Sequence, residues 1–290
     1  MTLSFSVGDI QVDRILEQEV AAFNALEFLP TLTRELLEEN RSWLEPLALG
    51  PGTDLFVFPM QSYLIRDGRS TILIDSCIGN DKDRPTRAHW HHKTDTAYMD
   101  ALTAAGVTVE DIDYVMCTHL HPDHVGWNTK LLDGRWVPTF PNARYVFSRK
   151  ELAHWEKTNS ESPVPHFVDS VLPIVEAGRV DLVDSDHAFD HGLHLEPTPG
   201  HTPDHFSVHL TSAGQDAVVL GDVIHSPLQC RYPDLVARPD VDRDQAKATR
   251  VALMDKYCET DTLICTAHFP SPSIGQFVRH GEAFDFKFRT

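Results

Sequence analysis

No stretch of this 290-residue chain is apolar for long enough to cross a bilayer; nothing approaches the roughly 18 residues a span requires. Residues 1–13 alternate apolar and polar side chains and lack the basic-then-apolar pattern of a secretory signal. Basic residues are scarce: 25 Lys and Arg stand against 43 Asp and Glu, for a formal net charge of −18. So acidic a chain, with no dense Lys/Arg stripe, repels phosphate backbones, which argues against a nucleic-acid partner and for a neutral or weakly charged small molecule. The five cysteines, Cys77, Cys117, Cys230, Cys258 and Cys265, are odd in number, widely spaced and form no C-x-x-C pair. They read as reduced, mostly buried thiols rather than a disulfide frame, which places the chain in the cytoplasm with no membrane partner. Internal repeats, low-complexity tracts and linkers are missing, as is any G-x-S-x-G elbow for a serine nucleophile. What the chain does have is 41% hydrophobic residues, enough for a large core. It is read as one domain over residues 1–290, with residues 17–50 as a pocket-covering or dimerisation segment.

Strands dominate the local pattern. Residues 4–16 read as a strand, and residues 56–65 and 70–74 as a hairpin turning at Asp67-Gly68. Thr33 caps a helix over 33–44, and a second helix over 95–105 stops at Gly106. A short buried strand, 113–117, runs into a histidine cluster. A strand at 144–148 precedes a helix at 150–157. Further strands fall at 193–198, 205–211, 217–220 and 262–266, with a helix at 243–257.

The central signal is Thr118-His119-Leu120-His121-Pro122-Asp123-His124. Four ligand-type side chains fall within six residues at the end of an apolar strand. Imidazole and carboxylate together are typical zinc ligands, and a loop leaving a strand can divide them between two adjacent ions. Three further candidates each follow an apolar strand: Pro199-Gly200-His201-Thr202-Pro203, Gly221-Asp222 and Ala267-His268. Other histidines are set apart. His187, His191 and His194 lie in a polar stretch and read as solvated; His89, His91 and His92 flank Trp90 and read as rim or surface.

In this order the motifs resemble the metallo-β-lactamase superfamily, from about Phe56 to His268. The resemblance implies an α/β fold, a four-layer αβ/βα sandwich with the site between two sheets. It assigns His119, His121 and His201 to one metal and Asp123, His124 and His268 to a second, with Asp222 bridging. It also makes Asp75 a residue that orients a ligand histidine. The sequence departs from the family pattern at Val125-Gly126-Trp127 and at Asp204-His205; the latter pair reads as support around the site or as surface.

The implied cofactors are two divalent metal ions, zinc by default, with manganese, iron or cobalt accommodated by the same ligands. The implied reaction is attack of a metal-bridging hydroxide on a lactone or carboxylic ester, with Asp123 passing a proton to the leaving group. His225 stands where acyl-homoserine lactonases carry a tyrosine. This is closer to the methyl parathion hydrolase and aryl-lactone branch, and it makes His225 a second catalytic candidate. Phe23–Leu29 with Trp90 and Trp127 are expected to wall the pocket. Phosphotriester hydrolysis is the alternative, then thioester or β-lactam opening, and last a non-catalytic metal- or ligand-binding protein. The resemblance to dimeric lactonases implies a homodimer, with Phe28, Leu29, Leu32, Leu36 and Trp43 either over the partner's pocket rim or packed onto their own core.

Overall fold

The computed structural model describes residues 3–190 and 192–289; His191 lies outside the described residues. Seven strands form one sheet in the spatial order Ser4–Val7, Ile10–Asn24, Leu55–Arg66, Thr71–Ile74, Tyr114–Met116, Arg144–Ser148 and Val180–Val183. Six form a second: Leu193–Pro197, Phe206–Ser212, Gln215–Val219, Leu263–Cys265, Ile274–His280 and Ala283–Phe288. The first sheet is antiparallel as far as Thr71–Ile74 and parallel beyond it. The second is parallel only where Gln215–Val219 meets Leu263–Cys265.

Strand alternation divides the side chains between layers. Ile72 and Ile74 face the second sheet and pack with Leu195, Phe206, Val208 and Val219. Leu73, between them, faces the other way, into a cluster with Tyr98, Leu102, Leu152 and Trp155. Those residues come from the helices Ala97–Ala104 and Arg149–Glu161. On the far side, Val218 and Ile264 meet Leu253, Met254 and Tyr257 of the helix Arg243–Tyr257. The order helix, sheet, sheet, helix is the expected four-layer sandwich.

The structure refines the sequence reading at several places. The strand read over residues 4–16 is two strands, folded back at Gly8, whose φ of 56° suits a tight reversal. The second of them, Ile10–Asn24, continues into the segment set aside as a cover, pairing with Leu55–Arg66 across two register shifts. The rest of that segment packs on its own chain: Leu29, Leu32, Leu37 and Leu44 are buried with Phe56, Phe58 and Met60. His194 lies in the strand expected at 193–198, paired with His209. The C-terminal hairpin, Ile274–His280 with Ala283–Phe288, has no counterpart in the sequence reading. All five cysteines are unpaired, and only Cys258 is not fully buried. Among the described residues no helix is long and apolar enough to cross a membrane.

The parallel pairs set the site. Ile74 lies opposite Met116 and Val219 opposite Cys265, so the strand pairs end side by side. The residues just beyond those ends are Asp75, Thr118–His119, Asp222 and His268. Open α/β sheets offer ligand crevices at such carboxyl ends.

Candidate metal centre

All seven predicted ligand positions come together, in two groups: His119, His121, His201 and Asp222, and Asp123, His124 and His268. The short helix Pro122–Val125 begins directly after His121 with proline at its first position. That turn directs His119 and His121 to one group and Asp123 and His124 to the other. Asp222 joins the two. Its Oδ2 lies 3.3 Å from His201 Nε2 and 3.7 Å from His119 Nε2. Its Oδ1 lies 3.1 Å from both His124 Nε2 and His268 Nε2.

Four of the rings are anchored from behind. His124 Nδ1 donates to Asp75 Oδ2 at 2.8 Å, His201 Nδ1 to Asp240 Oδ1 at 2.8 Å and His268 Nδ1 to the carbonyl of Pro59 at 3.1 Å. His119 Nδ1 donates to Thr118 Oγ1 at 3.1 Å, and that hydroxyl donates in turn to Asp75. Each bond fixes the tautomer and aims Nε2, with its lone pair, inward. His121 is the exception and turns Nδ1 inward, 3.0 Å from His119 Nε2 and 2.9 Å from His201 Nε2.

Inward-facing nitrogens this close repel unless a cation or proton lies between them. His124 Nε2 and Asp222 Oδ1 are buried without an aligned hydrogen bond. Burial and neighbouring imidazoles push His119 and His121 well below the usual histidine range, which leaves them in the neutral form a ligand needs. Burial opposes charge on His201 too, but its bonds to Asp222 and Asp240 prevail and raise it to about 9. A proton there occupies the place a metal would take and is released when one binds. Burial also opposes charge on Asp222, yet His124, His268 and His225 hold its carboxyl well below the ordinary range. The residues present therefore fit a pair of divalent cations.

The turn that carries Asp222 requires glycine before it. Gly221 has φ of 59°, and a Cβ there would lie 2.5 Å from His205 Nε2. His205 is buried and accepts the Asp222 backbone N–H at 2.9 Å. The Asp204-His205 pair is therefore support around the site, not surface; Asp204 is tied to Ser185 and Ser148.

A cavity of about 270 Å³ opens onto this centre. Phe23, Phe28, Phe58 and Trp90 form its apolar walls, and Asp123, Asp222, His225 and His268 reach into it. Trp127 does not line it, contrary to expectation: its ring stacks on Tyr98 at 5.5 Å and its indole N–H donates to buried Glu17. Leu29 is likewise core. His225 lies at the cavity, with Nε2 3.2 Å from Asp222 Oδ2, its backbone N–H on Gln229 and Nδ1 buried without a partner. His91 and His92 are exposed beside Asp83, and His187 is exposed against Phe189. Sequence reasoning missed Asp240, which sits in an irregular loop with no motif around it, and Phe58, an ordinary strand residue by pattern.

Known proteins resemble the chain in sequence and in fold. The family model described as the metallo-beta-lactamase superfamily matches residues 55–268. The N-acyl homoserine lactonase AiiA of Bacillus thuringiensis subsp. kurstaki is 26% identical over 125 residues, covering 42% of this chain and 42% of that protein. The chain thus matches less than half the length of the curated lactonases. AidC, a dizinc quorum-quenching lactonase solved with a product, superposes with a TM-score of 0.79 at 19% identity, over 100% of this chain and 97% of that one. The hydrolase AbOPH of the beta lactamase superfamily superposes with a TM-score of 0.82 at 24% identity, over 100% and 98%.

Proposed function

The chain belongs to the metallo-β-lactamase superfamily, and from that premise we propose that it is a metal-dependent hydrolase with a dinuclear site that opens lactones or carboxylic esters. One observation carries the proposal: the two oxygens of Asp222 face the two histidine groups separately, at the floor of an aromatic-walled cavity. In this reading His119, His121 and His201 would hold one ion and Asp123, His124 and His268 the other, with Asp222 available to both. Zinc is the ion that suits this donor set best. Bound there, the pair would lower the pKa of a shared water to roughly 7 and polarise the substrate carbonyl.

The chain's own side chains do the rest. Phe23, Phe28, Phe58 and Trp90 exclude water and receive the apolar part of the substrate. Asp123 faces the cavity with Oδ2 3.7 Å from His268 Nε2 and can carry a proton to the leaving oxygen. His225 presents a ring nitrogen where negative charge develops on the carbonyl oxygen. Asp75 and Asp240 act as positioning residues through His124 and His201.

The test is a turnover screen of purified, metal-analysed protein on lactones, aryl esters, phosphotriesters, thioesters and β-lactams. Lactones or aryl esters are expected to give the highest kcat/KM. Turnover of phosphotriesters, thioesters or β-lactams without ester or lactone turnover sinks the reading.

A further inference from the structure

We infer that the mouth of the cavity selects acyl substrates whose tail ends in a carboxylate, gripped by Arg87 and Arg238. The inference rests on the hydrolytic reading above and narrows its substrate class. Beyond the metal centre the cavity adjoins a second recess of about 470 Å³. Phe23, Phe28, Thr86, Arg87 and Pro239 line both spaces, and Arg238 joins on the outer side. Both arginines are exposed, and among the described residues neither makes an ion pair.

Their setting differs from that of Arg84 in the same wall. Arg84 donates to both oxygens of Asp169, at 2.7 and 2.8 Å, so its charge is already matched. The Arg87 guanidinium lies over the Phe23 and Trp90 rings, 5.2 and 5.5 Å from their centroids. Ring faces support a guanidinium without consuming its in-plane N–H donors. Those donors form a rigid fork whose spacing matches a carboxylate. Glu27 is the one acid among the residues that line the recess, and it is in no ion pair with either arginine. The chain's overall charge of −18 repels anions at long range, and the expectation of a neutral substrate rests on that. The recess is lined by two arginines and one acid, Glu27, and close range decides binding because salt screens the rest within about 10 Å. A linear acyl tail between the aromatic walls would put its carbonyl at Asp222 and a terminal carboxylate at the rim.

The experiment compares para-nitrophenyl hexanoate with mono-para-nitrophenyl adipate, esters of equal length that differ by the terminal carboxylate. Zinc-loaded wild type, Arg87→Gln, Arg238→Gln and the double variant are assayed at low and high salt. Wild type is expected to prefer the adipate ester at low salt and to lose part of that preference as salt rises. The double variant should lose roughly tenfold of the preference, through KM, the scale of a charge-assisted hydrogen bond at a wet site. Arg87→Lys should keep part of it. A preference identical in wild type and double variant, or a wild type that favours the hexanoate, overturns the inference while leaving the hydrolase reading intact. If neither ester turns over, the ester reading fails, and calorimetric titration with monomethyl adipate still decides the rim. Tighter binding to wild type than to the double variant sustains it; equal binding, as for a carboxylate held at the metals alone, overturns it.

Discussion

His201 donates its Nδ1–H to Asp240 Oδ1 at 2.8 Å across 39 residues of chain. Both side chains are buried, and Asp240 also accepts the Ala237 N–H and lies 3.5 Å from buried Arg250. The carboxylate therefore fixes the ring whose other nitrogen faces Asp222. Removing such a support typically costs 10–100-fold in metal affinity. Asp240→Ala is expected to lose one metal to a chelator at concentrations the wild type withstands. Asp240→Asn, whose amide oxygen still accepts, should be intermediate. Equal chelator resistance of wild type and Asp240→Ala would reduce Asp240 to a packing partner of Arg250.

That residue also marks where the sequence stops being legible. His119 to His124 are close in the chain, and their spacing announces them. Asp222 and His268 are readable because each follows an apolar strand. Asp240 follows none; it reaches His201 only because the loop before Arg243–Tyr257 folds over the site. Trp127 fails for the opposite reason. It adjoins the motif, but Glu17 and Tyr98, both distant in sequence, claim its indole. The extension of Ile10–Asn24 was hidden because its outer half is only partly buried, which blurs the alternation that marks a strand.

Metal stoichiometry tests the centre as a whole. The two groups, joined through Asp222, should retain about two divalent ions per chain, the number a shared-water site needs. Elemental analysis below about 1.5 equivalents after zinc or manganese supplementation contradicts this. Asp222→Asn should disturb both ions and, like His121→Ala, remove nearly all turnover while the fold survives. His187→Ala, remote and exposed, should be close to silent. A two- or threefold loss on Asp222→Asn or His121→Ala would break the assignment.

Lys82 gives a stability prediction independent of the metals. It is fully buried, its Nζ 2.6 Å from Thr129 Oγ1 and 3.6 Å from the Trp136 ring centroid. Burial pushes it down from 10.5 to about 7; Asp169 and Asp81 resist the shift and Arg84 adds to it. With the folded value below the unfolded one, the unfolded chain binds the extra proton between about 7 and 10.5. Lys82 therefore makes stability rise with pH across that window, by at most about 1.4 kcal/mol per unit. Urea denaturation of wild type and Lys82→Met from neutral to alkaline pH isolates the contribution. The stability difference should shift toward the wild type as pH rises, and a constant difference would contradict the burial argument.

The last prediction concerns His225, which touches the centre without belonging to either group of candidate metal ligands. Its Nε2 lies 3.2 Å from Asp222 Oδ2, its ring stacks on His268 at 5.7 Å between centroids, and it meets Phe28 edge-on at 5.1 Å. It thus joins the ionic floor of the cavity to the apolar wall, where the carbonyl of a bound ester would lie. If His225 donates to that oxygen or to the leaving group, His225→Ala should lower kcat by roughly ten- to a thousandfold, the scale of one lost oxyanion donor or acid–base group. Metal content should hold near two, because His119, His124, His201 and His268 keep their own anchors. His225→Tyr should retain part of the activity, since a phenol can still donate. A purely structural His225 gives a different pattern: a lower melting temperature, from the cavity left beside Phe28, with kcat intact. A third pattern, loss of one metal together with activity, would mean that His225 acts by holding Asp222 in place. Melting temperature, metal content and kcat measured on one preparation separate the three, and only the first keeps His225 in contact with the substrate.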